Sequence, residues 1–166
     1  KAIIHRDLKP SNVLVTLTEG GAVPKIIDFG VAKATAQRLT DQTLHTELGV
    51  LIGTPEYMSP EQADLTAQDV DTRTDVYALG VILYQLLVGA LPFESSDLRT
   101  AGVEAFRRKI LEDDPATPSV RLGTLPGERS TESARRRSVD LSTLKRQLSG
   151  DLDWITMKAL AKDRTR

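Results

Sequence analysis

The sequence predicts an α+β fold, mainly α-helical, with one small β-hairpin near its start. Three observations lead there. Two β-branched runs flank a glycine-rich turn between residues 13 and 27. An apolar stretch at 76–88 has the length of a helix rather than a strand. Downstream, apolar residues recur at helical spacing and the strand signals stop.

Val13-Leu14-Val15-Thr16-Leu17 reads as the outgoing strand, Thr18-Glu19-Gly20-Gly21 as the turn, and Val23-Pro24-Lys25-Ile26-Ile27 as the return strand. Residues 31–58 are rich in Thr and Gly with weak periodicity, which predicts a long loop, and loops of that length inside a domain are usually functional. Ser59 and Pro60 suit the N-cap and first position of a short helix. The helix at 75–88 is expected to be buried on all sides, since Val76 to Phe93 contains only Gln85 as a strongly polar residue. Gly89 and Pro92 break that run, and a helix from Val76 to Val88 spans roughly 20 Å, short of the about 30 Å of a bilayer core. An amphipathic helix is expected around Thr100–Leu111, with Val103, Phe106 and Ile110 on one face. Residues 112–139 carry Pro115, Pro118, Pro126 and Arg135-Arg136-Arg137, a composition that predicts an exposed, flexible insert. The arginine run, followed by Ser138, reads as a solvated face. Leu141, Leu144 and Leu148 mark one closing helix, ended by Gly150, and a second is expected from Asp153 to Ala161.

Composition narrows the function classes. The chain has 166 residues, 40% of them hydrophobic, enough for one domain with a core. Its 22 basic and 23 acidic residues give no leaning toward nucleic acid or an anionic surface. With no cysteine, disulfides and thiolate chemistry are excluded, and two histidines argue against a His-rich metal centre. The first residue is Lys1, with no charged leader before Ala2-Ile3-Ile4, so the sequence is expected to be an excerpt of a longer protein.

The hairpin organises the chemistry. Asn12 precedes its outgoing strand and Asp28 follows its return strand, so antiparallel pairing should bring the two together at one edge. An amide oxygen and a carboxylate are hard ligands suited to Mg²⁺ shared with phosphates. Asp7 lies in a segment that Lys9-Pro10 keeps out of regular helix, where a carboxylate could accept a proton from a substrate hydroxyl. Lys9 could reach a transferring phosphate as a point charge. Together these make a minimal set for phosphoryl transfer.

His5-Arg6-Asp7-Leu8-Lys9-Pro10-Ser11-Asn12 resembles the catalytic loop of eukaryotic-type protein kinases. Asp28-Phe29-Gly30 resembles their metal-binding triad, and Ser59-Pro60-Glu61 their Ala-Pro-Glu motif with Ser for Ala. Three such motifs in order are far more specific than any one alone. The resemblance implies the C-terminal catalytic lobe of a serine/threonine protein kinase of bacterial type, spanning residues 1–166 without its N-terminal lobe. It implies ATP and Mg²⁺ (or Mn²⁺) as cofactors, Ser/Thr-bearing protein substrates, and the absent N-lobe as a partner. Asp7 would be the catalytic base and Lys9 would steady the γ-phosphate. Asn12 and Asp28 would hold the metals, and Leu14 would floor the adenine. His5 and Phe29 would stack in the column joining the lobes, and Gly30 would let the activation loop swing. Arg6 would pair with a phosphate on that loop, with Thr46 favoured over Thr40 and Thr43 as acceptor. Thr54, in Gly53-Thr54-Pro55-Glu56-Tyr57, would bond Asp7 and Lys9, and together with Lys9 it resembles the Ser/Thr rather than the tyrosine branch. Asp75 would anchor the catalytic-loop backbone from below. Glu61 would pair with an arginine near the lobe's end. Kinases of this type are often membrane-tethered, but this piece has no tether, and the domain is expected in the cytoplasm. A pseudokinase serving as a scaffold is the alternative. The presence of Asp7, Lys9, Asn12 and Asp28 argues for the active form. The segment from Gly53 to Glu61 argues against a small-molecule phosphotransferase.

Overall fold

The computed structural model describes residues 3–29, 54–64, 70–94, 96 and 102–163. A 3-10 turn at Pro10–Asn12 leads into β1 (Val13–Thr18), which pairs antiparallel with β2 (Gly21–Ile26) in the register Val13↔Ile26 to Thr18↔Gly21. The connection is the two-residue turn Glu19-Gly20. At the turn end β1 runs one residue and β2 two residues further than β-branched content alone indicates, and β2 ends one residue sooner, at Ile26.

A second 3-10 turn, Pro55–Tyr57, precedes α1 (Pro60–Ala63). Then come α2 (Arg73–Val88), α3 (Val103–Glu112), α4 (Pro118–Thr124), α5 (Gly127–Arg135), α6 (Leu141–Leu148) and α7 (Asp151–Ala159). The architecture among the described residues is therefore mainly helical with one two-stranded sheet, as the sequence predicts. No helix among them is long and apolar enough to cross a membrane.

The helices assemble around α2. Its residues Tyr77, Val81, Tyr84 and Val88 recur at helical spacing and are buried with Ala90, Leu125 and Leu160. A second cluster joins Ala63, Phe93, Phe106 and Ile110, which docks α1 against α3. A third joins Leu122, Ala134, Leu144 and Leu148. Asp140 caps α6 by accepting from the Thr143 backbone N–H at 2.8 Å. Where α7 crosses α2, Gly80 removes the side chain that would otherwise hold the helices apart: a Cβ there would stand 2.8 Å from that of Ala159. At the end of α2, Gly89 takes a left-handed φ of 76° and leaves room for Ser133, whose hydroxyl donates to the Val88 carbonyl at 2.7 Å.

Three expectations are corrected. The helix at 75–88 is not enclosed on all sides by the described residues: Val76, Leu79 and Leu86 are 50%, 47% and 65% exposed. The uniform apolarity of α2 hid which of its faces meets the core. Segment 112–139, expected as a flexible insert, instead carries α4 and α5. Its prolines are not random breakers: Pro118 sits in the first turn of α4 and Pro126 at the N-cap of α5, positions where a missing N–H costs nothing. Leu122 and Ala134 from this segment are core residues, and Ser119 donates to Asp153 of α7 from its backbone at 2.9 Å and its hydroxyl at 2.5 Å. Within the arginine run, Arg135 and Arg136 pair with Glu132 at 2.7 and 2.9 Å, and Arg137 donates to backbone carbonyls of Ser133 and Leu86. The last helix also begins earlier than expected, at Asp151, directly after Gly150.

Lys162, past the end of α7, donates to the Ile110 carbonyl at 2.6 Å. Its Nζ lies 4.8 Å from the Phe93 ring centroid and 5.7 Å from that of Tyr77. Burial pulls its pKa from the usual 10.5 down to about 8, against the opposing pull of Asp114 and Asp113. Between those values the unfolded chain binds more protons than the folded one, so this group makes stability rise with pH. Thermal unfolding followed from about pH 8 to about pH 9.5, below the tyrosine range, is expected to show that rise, and Lys162→Met to flatten it. Gly80→Ala is expected to lower the unfolding midpoint by the equivalent of about 1–2 kcal/mol, because the clash with Ala159 outweighs the about 1 kcal/mol helix-propensity gain of alanine.

Candidate active site

The site is built on the mouth of the hairpin. The Ile27 N–H donates to the Asn12 carbonyl at 3.0 Å, which closes the open end of the ladder. His5 Nε2 lies 2.8 Å from the Ile27 carbonyl, so Nε2 carries the proton and Nδ1 is left as an acceptor. Nδ1 accepts the Asp7 N–H at 3.3 Å. One buried imidazole thus joins the Asp7 loop to the return strand. Its ring also packs on Phe29, with centroids 5.0 Å apart and planes tilted by 53°.

The loop around Asp7 is held from three sides. From α2, Asp75 accepts the His5 N–H at 2.8 Å and the Arg6 N–H at 2.9 Å, one on each carboxylate oxygen. From the hairpin side, the Asn12 side-chain amide donates to the Asp7 carbonyl at 2.8 Å. From α1, Gln62 donates to the Arg6 carbonyl at 2.9 Å. These bonds sustain an uncommon backbone at Arg6, whose φ of 66° is a left-handed value that costs such a residue about 1–2 kcal/mol; Asp28, at the other side of the hairpin mouth, also has a left-handed φ, of 57°.

The side chains converge in front of this frame. Lys9 Nζ stands 3.1 Å from Asp7 Oδ2 and donates to Thr54 Oγ1 at 3.3 Å. Thr54 is 45 residues away in sequence, so the lysine draws a remote loop onto the acid. That loop is seated on the core: the Tyr57 hydroxyl donates to Gln85 of α2 at 2.7 Å, and burial raises the Tyr57 pKa. Asn12 is buried and spends its amide nitrogen on Asp7, which leaves Oδ1 as the atom suited to a cation. Asp28 follows β2 at the same end of the hairpin, with its carboxylate exposed. Among the described residues no cluster of three or more His or acidic side chains could hold a metal alone. An amide and a carboxylate do fit a Mg²⁺ whose other ligands are phosphate and water.

Leu14, on β1, is 53% exposed. Glu61 accepts the Thr74 hydroxyl at 2.6 Å, and Thr74 lies 3.2 Å from the buried Ser59 hydroxyl. The arginine expected near the lobe's end for Glu61 is not assigned to a position, and Arg164 and Arg166 lie outside the described residues, as do Gly30 and Thr46. Sequence reasoning missed Gln62. Its Ser-x-x-Gln spacing from Ser59 signals a capping box, and the Gln62 carbonyl oxygen does accept the Ser59 N–H at 3.1 Å. Nothing in that local pattern announces the contact to Arg6.

A loop acid with a lysine against it, and an amide and a carboxylate at one end of a hairpin, are the residue types that phosphoryl transfer calls for. The chain belongs to the protein kinase family: the family's protein kinase domain model matches residues 1–146. It is 38% identical to the serine/threonine-protein kinase pkn3 of Myxococcus xanthus over 165 residues, covering 99% of this chain and 29% of that protein. It is 46% identical over 99 residues to Pkn1 of the same organism, covering 59% of this chain and 13% of that kinase. PknB of Mycobacterium leprae is 35% identical over 161 residues, covering 97% of this chain and 20% of the kinase. The chain thus spans less than a third of the length of these curated relatives. As a family, protein kinases act on protein substrates with ATP and Mg²⁺.

Asp75→Ala strips two adjacent backbone amides of their acceptor. It is expected to cost about 2–3 kcal/mol, read as a lowered denaturation midpoint with an unchanged m-value.

Proposed function

We propose that the protein containing this chain transfers the γ-phosphate of ATP to serine and threonine hydroxyls of proteins. The observation that carries this reading is the Asp7–Lys9–Thr54 cluster, in which one lysine touches both the acid and the incoming loop. Asp7 orients the acceptor hydroxyl and takes its proton. Lys9, a point charge 3.1 Å from that acid, balances the negative charge of the transferring phosphate. Thr54 holds the substrate-facing loop in register with both, and its hydroxyl fits a site built for Ser and Thr. Asn12 Oδ1 and the Asp28 carboxylate would hold Mg²⁺. Held there, Mg²⁺ would supply positive charge to offset that of the phosphates. Leu14, exposed on β1, offers an apolar floor for the adenine. Phe29 against His5 ties the metal-binding turn to the catalytic loop. Arg6 pairs with a phosphorylated loop residue, for which Thr46 is the favoured acceptor. Gly30 serves as the pivot of that loop. The domain works in the cytoplasm.

The chain spans less than a third of the length of the kinases it matches, so the activity is assigned to the parent protein. The scaffold reading keeps the same fold but requires no turnover. With the full-length protein, Mg²⁺ and labelled ATP, Asp7→Asn is expected to cut phosphate transfer to Ser/Thr peptides by about 10²–10⁴-fold. Transfer that survives Asp7→Asn, or full-length protein that binds nucleotide without turnover, contradicts the reading. The isolated chain is expected to transfer no detectable phosphate.

A further inference from the structure

The peptide unit between Arg6 and Asp7 is fixed at both of its polar atoms. Its N–H, on Asp7, is held by His5 Nδ1 at 3.3 Å, and its carbonyl, on Arg6, by Gln62 Nε2 at 2.9 Å. His5 belongs to the loop itself. Gln62 does not: it sits in α1, 56 residues away, at the end of the segment that carries Thr54. The orientation of its amide is settled by its second contact. Oε1 accepts the Ser59 N–H at 3.1 Å, so the nitrogen is the atom turned toward Arg6. Around it runs a closed ring of contacts. Ser59 touches Thr74, Thr74 donates to Glu61, and the next residue on α2, Asp75, holds the N–H groups of His5 and Arg6. The Arg6 backbone is therefore gripped at its N–H from α2 and at its carbonyl from α1, and its left-handed φ of 66° is maintained between the two.

We infer that Gln62 is a positioning residue for the Asp7 carboxylate: it makes the productive orientation of Asp7 depend on the seating of α1. A carbonyl held from α1 cannot rotate unless the bond breaks. Rotation of that peptide would swing Asp7 away from Lys9, whose Nζ is 3.1 Å from it. The same short segment thus presents Thr54 to Lys9 at one end and fixes the Asp7 peptide at the other. Docking of this segment and readiness of the acid become one event. This inference rests on the reading of Asp7 as the group that orients the acceptor hydroxyl.

The discriminating substitution is Gln62→Glu. A glutamate keeps an oxygen for the Ser59 N–H, so the helix start is preserved, but it presents an acceptor to the Arg6 carbonyl where a donor stood. In the full-length protein, Gln62→Glu is expected to lower kcat by about tenfold or more, with KM for ATP unchanged and the protein still fully folded at the assay temperature. Gln62→Ala is expected to lower both kcat and the midpoint, because it also loses the cap. A kcat for Gln62→Glu within about twofold of the parent overturns the inference, and so does a kcat loss accounted for by unfolding at the assay temperature. The wild type and Asp7→Asn are assayed alongside. If neither transfers phosphate, the functional reading itself has failed. If the wild type is active and Gln62→Glu matches it, only the role of Gln62 has failed.

Discussion

A single carboxylate sets the geometry of this protein's site. Asp75 offers one oxygen to the His5 amide and the other to the Arg6 amide, at 2.8 and 2.9 Å. Two consecutive N–H groups can point at one carboxylate only if the backbone bends sharply there, and Arg6 does so with its left-handed φ. The conformation is costly for an arginine, and charge-assisted bonds of this kind are strong enough to hold it. Everything downstream follows. The bend presents Asp7 outward and frees the Asp7 carbonyl for Asn12. It also aims His5 at Ile27, which fixes the return strand and the turn that carries Asp28.

The anchor is only as firm as α2. That helix packs Tyr77, Val81, Tyr84 and Val88 into the main core and is crossed closely by α7 at Gly80. Its first turn supplies both Thr74 and Asp75, so the polar ring beneath the loop begins where the apolar packing starts. The β-hairpin contrasts with this. Leu14, Val15, Leu17, Val23 and Ile26 are all substantially exposed among the described residues, and a lone two-stranded ribbon has little stability of its own. What positions it is the set of bonds at its mouth, from Asn12 and His5. The rigid part of the site is thus the helical floor, and the hairpin is tied to it at one end.

Much of this was legible in the sequence because it depends on short-range rules. Hairpin pairing follows from two β-branched runs and a turn, and it alone brings Asn12 and Asp28 to one edge. Leu144 and Leu148 sit at helical spacing and are buried as that spacing implies. The failures have physical causes. Prolines and charges in 112–139 read as an insert because a proline in a first helical turn has the composition of a loop. The burial of Leu122 depends on partners such as Leu144 that are distant in sequence. The face of α2 that meets the core could not be chosen when every face is apolar. Gln62 was missed because one end of its amide obeys a local capping rule while the other makes a contact across 56 residues.

On the proposed function, this floor delivers Asp7, Asn12 and Asp28 to one point, where a phosphoryl group passes to a hydroxyl. A crystal structure of the full-length protein with Mg²⁺ and a non-hydrolysable ATP analogue tests it most directly. The account predicts the ion on Asn12 Oδ1 and the Asp28 carboxylate, the γ-phosphate beside Lys9, and the Asp75 contacts to His5 and Arg6 intact. A nucleotide-bound ion that touches neither Asn12 nor Asp28 would contradict it.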